Sequence, residues 1–146
     1  MELVIKNFDE LGTRELYEIL RLRVDVFVVE QKCPYPEVDG VDYESLHLYY
    51  KNNKEIVAYI RIYEDKVDKK TVHIGRVISK YRGEGLGKLV MNSAIDEIKR
   101  LNKYKKINLL AQVYAKGFYE KLGFKTFGEA FLEDGIPHIN MELFIK

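Results

Sequence analysis

Helix-type and strand-type patterns alternate along this chain and predict an α/β fold, one mixed sheet covered by helices on both faces. Three observations carry that reading. Apolar spacing switches between the strand and the helix period in the order strand, helix, three strands, helix, strand, helix, two strands. The most regular stretch, Val72 to Leu101, is a strand, a glycine loop and a helix in direct succession. With 146 residues and 47% hydrophobic content the chain can bury a real core but has little room for a second domain, so residues 1–146 read as a single domain.

Taken in order, Leu3-Val-Ile5 is a short strand. Thr13 is placed to N-cap a helix with Leu16, Ile19, Leu20, Val24 and Phe27 on its core face. From Val28 the pattern breaks into Glu30-Gln-Lys-Cys-Pro-Tyr-Pro-Glu-Val-Asp-Gly40, whose prolines and glycine exclude regular structure and leave an irregular helical stretch near residues 28 to 45. A loop of that length in a small domain is more often functional than spare. His47 to Tyr50 and Glu55 to Tyr63 form a hairpin around Asn52-Asn53; strict alternation puts Ile56, Ala58, Ile60 and Ile62 on one face and Val57, Tyr59, Arg61 and Tyr63 on the other. Asp65 to Lys70 is a charged turn. Val72, Ile74, Val77 and Ile78 make the next strand, and Leu86, Leu89, Val90, Ala94, Ile98 and Leu101 the long helix. Ile107 to Ala111 is a buried strand and Tyr114 to Leu122 a short helix stopped by Gly123. Phe124 to Phe131 and His138 to Ile145 are closing strands joined at Glu133-Asp-Gly-Ile-Pro137.

Charge narrows the partners. Lys plus Arg number 24 and Asp plus Glu 23, a formal net charge of +1, which argues against a nucleic-acid-binding surface. No apolar run approaches the roughly 18 residues of a membrane span, and Met1-Glu-Leu-Val-Ile-Lys6 is no signal peptide, so a cytoplasmic location is expected. The single Cys33 has no internal disulfide partner.

The glycine loop, Tyr81-Arg-Gly-Glu-Gly-Leu-Gly-Lys88, carries the chemistry. Glycines at 83, 85 and 87 clear side chains from the backbone, and the first helical turn leaves amides without intrahelical acceptors. Those amides and the positive end of the helix dipole suit a pyrophosphate, with Arg82 and Lys88 adding charge. A nucleotide P-loop would need Ser or Thr after the lysine, where this chain has Leu89. A Rossmann site would need G-x-G-x-x-G, whereas the spacing here is G-x-G-x-G.

What the loop does match is R-x-x-G-x-G, at Arg82, Gly85 and Gly87, and there the sequence resembles the GNAT N-acetyltransferase superfamily. Gln112-Val-Tyr-Ala-Lys-Gly-Phe-Tyr-Glu-Lys-Leu-Gly-Phe124 resembles the same superfamily's N-x-x-A-x-x-L-Y-E-x-x-G-F. Ala115, Tyr119, Glu120, Gly123 and Phe124 match, while Gln112 stands where Asn is common and Phe118 where Leu is. Arg23 to Gln31, Cys33-Pro-Tyr35, Glu37-Val-Asp-Gly40 and Phe131 to His138 look like the ElaA-type branch, which also tends to carry Gln at position 112. The resemblance covers nearly the whole chain. It implies a mostly antiparallel mixed sheet of about seven strands, splayed at the fourth and fifth, with helices on both faces. It also implies acetyl-CoA as co-substrate without a metal, cofactor contacts at Val77, Ile78, Arg82, Gly83, Glu84, Gly85, Leu86, Gly87, Lys88, Gln112 and Phe118, and a backbone N–H near Val77 or Ile78 as oxyanion donor. Tyr119 is then the proton source for the departing thiolate.

Acetyl transfer to an amine needs the amine neutral, the carbonyl polarised and the thiolate protonated. A phenol with a pKa of about 10 suits the last task in a dry pocket. For the base, Glu30, Asp39, His47, His73 and His138 are all eligible. Glu30 and His138 rank first because they lie in the branch-specific segments, and water can relay the proton. Cys33 as an acyl carrier lacks a Cys-His context. Glu30, Glu37, Asp39, Asp42, Glu44, Glu133 and Asp134 are expected to border the acceptor end as an acidic rim for a small cationic amine. A homodimer is compatible with this reading. The competing class is a CoA-binding regulatory module without turnover, against which Tyr119 counts.

Overall fold

A computed structural model describes residues 1–145. Seven strands form one sheet: β1 (Glu2–Asn7), β2 (Leu46–Asn52), β3 (Glu55–Glu64), β4 (Thr71–Ser79), β5 (Lys106–Gln112), β6 (Lys125–Glu133) and β7 (Ile136–Phe144), in the spatial order β1-β2-β3-β4-β5-β7-β6. All neighbours are antiparallel except β4 and β5, which run parallel and pair only from Thr71↔Lys106 to Ile74↔Leu109. Beyond Ile74 and Leu109 the two strands part. This is the splay expected at the fourth and fifth strands.

Helix α1 (Thr13–Val24) covers one face of the sheet, where Ile19 and Leu22 pack with Tyr49, Ile56, Tyr59 and Ile78. Helix α2 (Leu86–Leu101) covers the other, burying Val90, Met91, Ala94 and Ile98 against Ile60, Ile62, Ile74, Ile107 and Met141. Phe118 and Tyr119 of the short α3 (Lys116–Lys121) join this second core. Asn102 ends α2 in the left-handed conformation that Asn tolerates.

Three local readings are corrected. Gly12, not Thr13, is the N-cap of α1, and Glu15 folds back to accept from its N–H at 2.9 Å. Val24 is exposed and the fully buried Arg23 takes the inward position. After Val24 the chain widens into a π turn over Asp25–Glu30, rotating the apolar stripe away from a regular α spacing. Ile56 and Val57 exchange faces, because the β2–β3 register slips between Tyr50 and Lys51 and leaves Val57 without a Cα partner.

Candidate active site

The parting of β4 from β5 opens a cleft of about 1760 Å³ that reaches from the glycine loop, across the splay, to the loop after α1. It is lined by all the expected cofactor residues except Glu84, and by Tyr119, Glu30 and His138. Glu84 is exposed in the glycine loop and outside this lining. A second cavity of about 650 Å³, near Glu64, Glu97 and Tyr104, contains none of the expected cofactor, acid or base residues.

At the cofactor end, Gly83 and Gly85 adopt φ of +78° and +71°, a conformation that side chains other than glycine and a few polar residues avoid. Gly85 is the N-cap of α2, so the N–H groups of Leu86, Gly87 and Lys88 start the helix without partners inside it. Gly87 serves a different purpose: a Cβ there would lie 3.4 Å from the Phe118 ring, so the bare backbone lets α2 start close against α3. Arg82 and Lys88 are exposed on the cleft and make no ion pair among the described residues, leaving both charges free for an anion.

At the splay, β4 bulges: Tyr59 pairs with Ile78 and Arg61 with Gly75, so Ile60 alone faces both Arg76 and Val77. Val77 packs toward the α2 core while Ile78 is buried on the α1 side. Tyr119 stands edge-on between Phe118 (5.0 Å between ring centres) and Phe124 (6.2 Å). Burial in this aromatic setting, with the nearby Tyr114 phenol, pushes its pKa up to about 12. Among the described residues its hydroxyl makes no hydrogen bond, so it is free to donate into the cleft. Across the splay Gln112 Nε2 donates to Gln31 Oε1 at 3.4 Å, joining the end of β5 to the loop after α1.

The end of the cleft near the loop after α1, where the sequence places the acceptor, separates the eligible bases. His47 is fully buried, donating from Nε2 to the Asp42 carbonyl (3.1 Å) and accepting at Nδ1 from the Tyr59 hydroxyl (2.6 Å), and burial lowers its pKa. It does not reach the cleft. Asp39 is held by Arg61 at 2.9 and 3.1 Å, and His73 bonds Asp65 through Nε2 at 2.7 Å while stacking on Tyr63. His138, opposite Gln112 on β7, bonds the Ile136 carbonyl through Nδ1 at 2.7 Å. A carbonyl only accepts, so Nδ1 carries the hydrogen and the neutral ring keeps its lone pair on Nε2. Glu30 is exposed at the cleft with no ion-pair partner among the described residues.

The acidic rim is corrected in part. Glu37 and Asp42 are buried, and with Asp39 they are neutralised by Arg23, Arg61 and Arg76. Glu44 lies at the smaller cavity rather than at the cleft. Of the expected rim, Glu30, Glu133 and Asp134 line the cleft unpaired among the described residues, joined by Asp25. Sequence reasoning missed the arginines. The signal was present as charged residues inside apolar runs, with Arg23 beside Leu22, Arg61 between Ile60 and Ile62, and Arg76 between Gly75 and Val77.

The model of the acetyltransferase (GNAT) domain family matches residues 21–145. The chain belongs to the GNAT acetyltransferase family. Escherichia coli protein ElaA is 41% identical over 139 residues, covering 92% of this chain and 91% of that protein. Its crystal structure superposes with a TM-score of 0.91 over 97% of each chain. A Schizosaccharomyces pombe protein of the UPF0039 group is 44% identical over 98% of this chain and 97% of its own length. The crystal structure of an acyl-CoA N-acyltransferase from Pseudomonas aeruginosa matches at 39% identity and a TM-score of 0.90, covering 97% and 99% of the two chains. An ElaA-like GNAT acyltransferase using acetyl-CoA is therefore the class of this enzyme. Among the described residues no three His, Cys, Asp or Glu side chains are grouped to hold a metal ion, and no helix is long and apolar enough to cross a membrane.

Proposed function

We propose that the enzyme moves the acetyl group of acetyl-CoA to a primary amine by direct attack, with Tyr119 protonating the thiolate and His138 accepting the amine's proton. The observation that carries this reading is that one cleft contains the glycine loop, an unpaired Tyr119 hydroxyl and a His138 whose Nε2 is left free. The amine nitrogen bonds to the thioester carbon as the C–S bond breaks. The sulfur takes the phenolic proton, the Val77 or Ile78 N–H supports the carbonyl oxygen, and the nitrogen's proton passes to His138 directly or through water. The unpaired Asp25, Glu30, Glu133 and Asp134 favour a small cationic acceptor, and raising ionic strength should lower kcat/KM for such an amine.

The test is thiol release from acetyl-CoA over a panel of primary amines. Turnover that falls in Tyr119→Phe and in His138→Ala, the latter restored in part by added imidazole, is the expected result. CoA binding without thiol release for any amine would instead favour the regulatory module. A cytoplasmic location, a single domain and a homodimer belong to the same reading. A second copy would meet the open sheet face beside the cleft, where Phe127, Phe131 and Phe144 are 36%, 40% and 69% exposed. Two-fold apposition of two β6 strands sets Lys125 of each copy against Glu133 of the other, and sedimentation velocity of the wild type and of Phe131→Glu tests it.

A further inference from the structure

We infer that Arg76 is a positioning residue that locks the loop over the acceptor side to the bulge beside the thioester site, so that both adopt their working geometry together. The inference rests on the acetyltransfer reading only for its kinetic consequence; its mechanical content is separable.

Arg76 adopts φ of +54°, in the left-handed region that a long side chain occupies at a cost, and no glycine relieves it. Such a conformation persists where the surroundings over-determine it. Here they do so through the side chain. Arg76 Nε donates to Glu37 Oε2 at 2.6 Å, and Nη2 donates to the Glu37 carbonyl at 3.2 Å and to Asp39 Oδ2 at 3.4 Å. The guanidinium also lies 5.9 Å from the centre of the Phe27 ring. Glu37 is itself anchored from the opposite side, because the fully buried Arg23 donates from Nε to the same Oε2 at 2.7 Å and from Nη2 to the same carbonyl at 3.1 Å.

Glu37 is thus a buried node gripped by α1 through Arg23 and by β4 through Arg76. The next residue along β4 is Val77, whose N–H is a candidate oxyanion donor. Losing the Arg76 grip therefore releases the loop around Glu37 and, through the same residue's backbone, the orientation of that N–H. The bare alternative is that Arg76 only adds stability.

The discriminating variant is Arg76→Gly, because glycine takes a φ of +54° freely and keeps the bulge accessible while deleting the grip. Hydrogen exchange comes first, since it needs no acceptor. Glu37→Gln should speed exchange at loop residues 31–40 and at the Val77 and Ile78 amides by a larger factor than at the core amides of β2 and β3, which report the global loss of stability. Faster exchange in the loop alone would overturn the coupling. In turnover with the best amine of a panel, Arg76→Gly should keep CoA affinity and lower kcat roughly 10²-fold. Added methylguanidine should restore part of it, and Glu37→Gln should add little further loss. Wild-type kcat in Arg76→Gly, or no rescue and simple additivity, would leave Arg76 as stability alone. If the wild type turns over no amine while exchange at the two segments is coupled, the acetyltransfer reading fails and the mechanical link stands.

Discussion

Burial keeps the Tyr119 phenol protonated, with a pKa raised to about 12, through the range in which an amine acceptor with a pKa of about 10.4 becomes neutral. In the proposed reaction the acid and the nucleophile are therefore ready together at alkaline pH. The kcat/KM for a simple amine should rise up to about pH 10 with no descending limb from Tyr119 below about pH 11. A descending limb near pH 10 that disappears in Tyr119→Phe would show a phenol titrating at its ordinary value. Tyr119→Phe should keep CoA affinity, because the ring still packs between Phe118 and Phe124, and lose about 10²-fold in kcat. The place of Tyr119 in the cleft was legible from sequence because its motif fixes a position. The hydrogen bond that leaves Nε2 of His138 free was not, since its acceptor is a backbone carbonyl whose place depends on the hairpin turn.

At the level of elements, the glycine loop and α2 are set by local chain chemistry, and that is why they were readable. Gly85 must be left-handed to cap α2, whereas a Cβ on it would meet nothing within 4 Å. Conformation, and not space inside the protein, selects glycine there. Gly85→Val should consequently damage helix and cofactor site together, since a β-branched residue is poorly accommodated at that φ. Gly85→Asn separates them: Asn tolerates the left-handed region, so the melting temperature should move little while its side chain intrudes on the place proposed for the pyrophosphate. Calorimetric CoA titration beside thermal unfolding checks this, and unchanged CoA affinity in a folded Asn variant would remove the anion from this loop. What failed at this scale were the places where a ladder or helix departs from its ideal period. The π turn after Val24 and the slip at Val57 shift side chains from one face to another, and alternation alone contains no sign of either.

At the scale of the whole molecule, Arg23, Arg61 and Arg76 with Glu37, Asp39 and Asp42 tie α1, the long loop, β3 and β4 into one buried and half-buried network. It escaped sequence reading because its members are far apart in the chain, and the acids looked like solvated loop residues until a fold placed arginines beneath them. Removing one member leaves charge without its partner. Asp42→Asn should cost about 3–5 kcal/mol in denaturant unfolding. Burial alone would raise the Asp42 carboxyl, but hydrogen bonds and charge from Arg23 and Arg61 outweigh it and hold it below the usual range; Arg61 and Arg76 do the same for Asp39. Carboxyls depressed by folding contribute stability that is complete above their unfolded pKa of about 3.9 and is lost as pH falls through the lower folded value. The neighbouring His47 adds an earlier and shallower loss, because burial lowers its pKa and the unfolded chain takes up its proton first as pH falls below about 6.5. Thermal unfolding across pH should therefore show a gentle decline beginning near pH 6.5 and a steeper one below about pH 4. In Asp42→Asn the steeper limb should flatten relative to the wild type, since the variant has one fewer depressed carboxyl to protonate. An unchanged acid slope would mean that the network holds the loop in place without setting the acid limit of the fold.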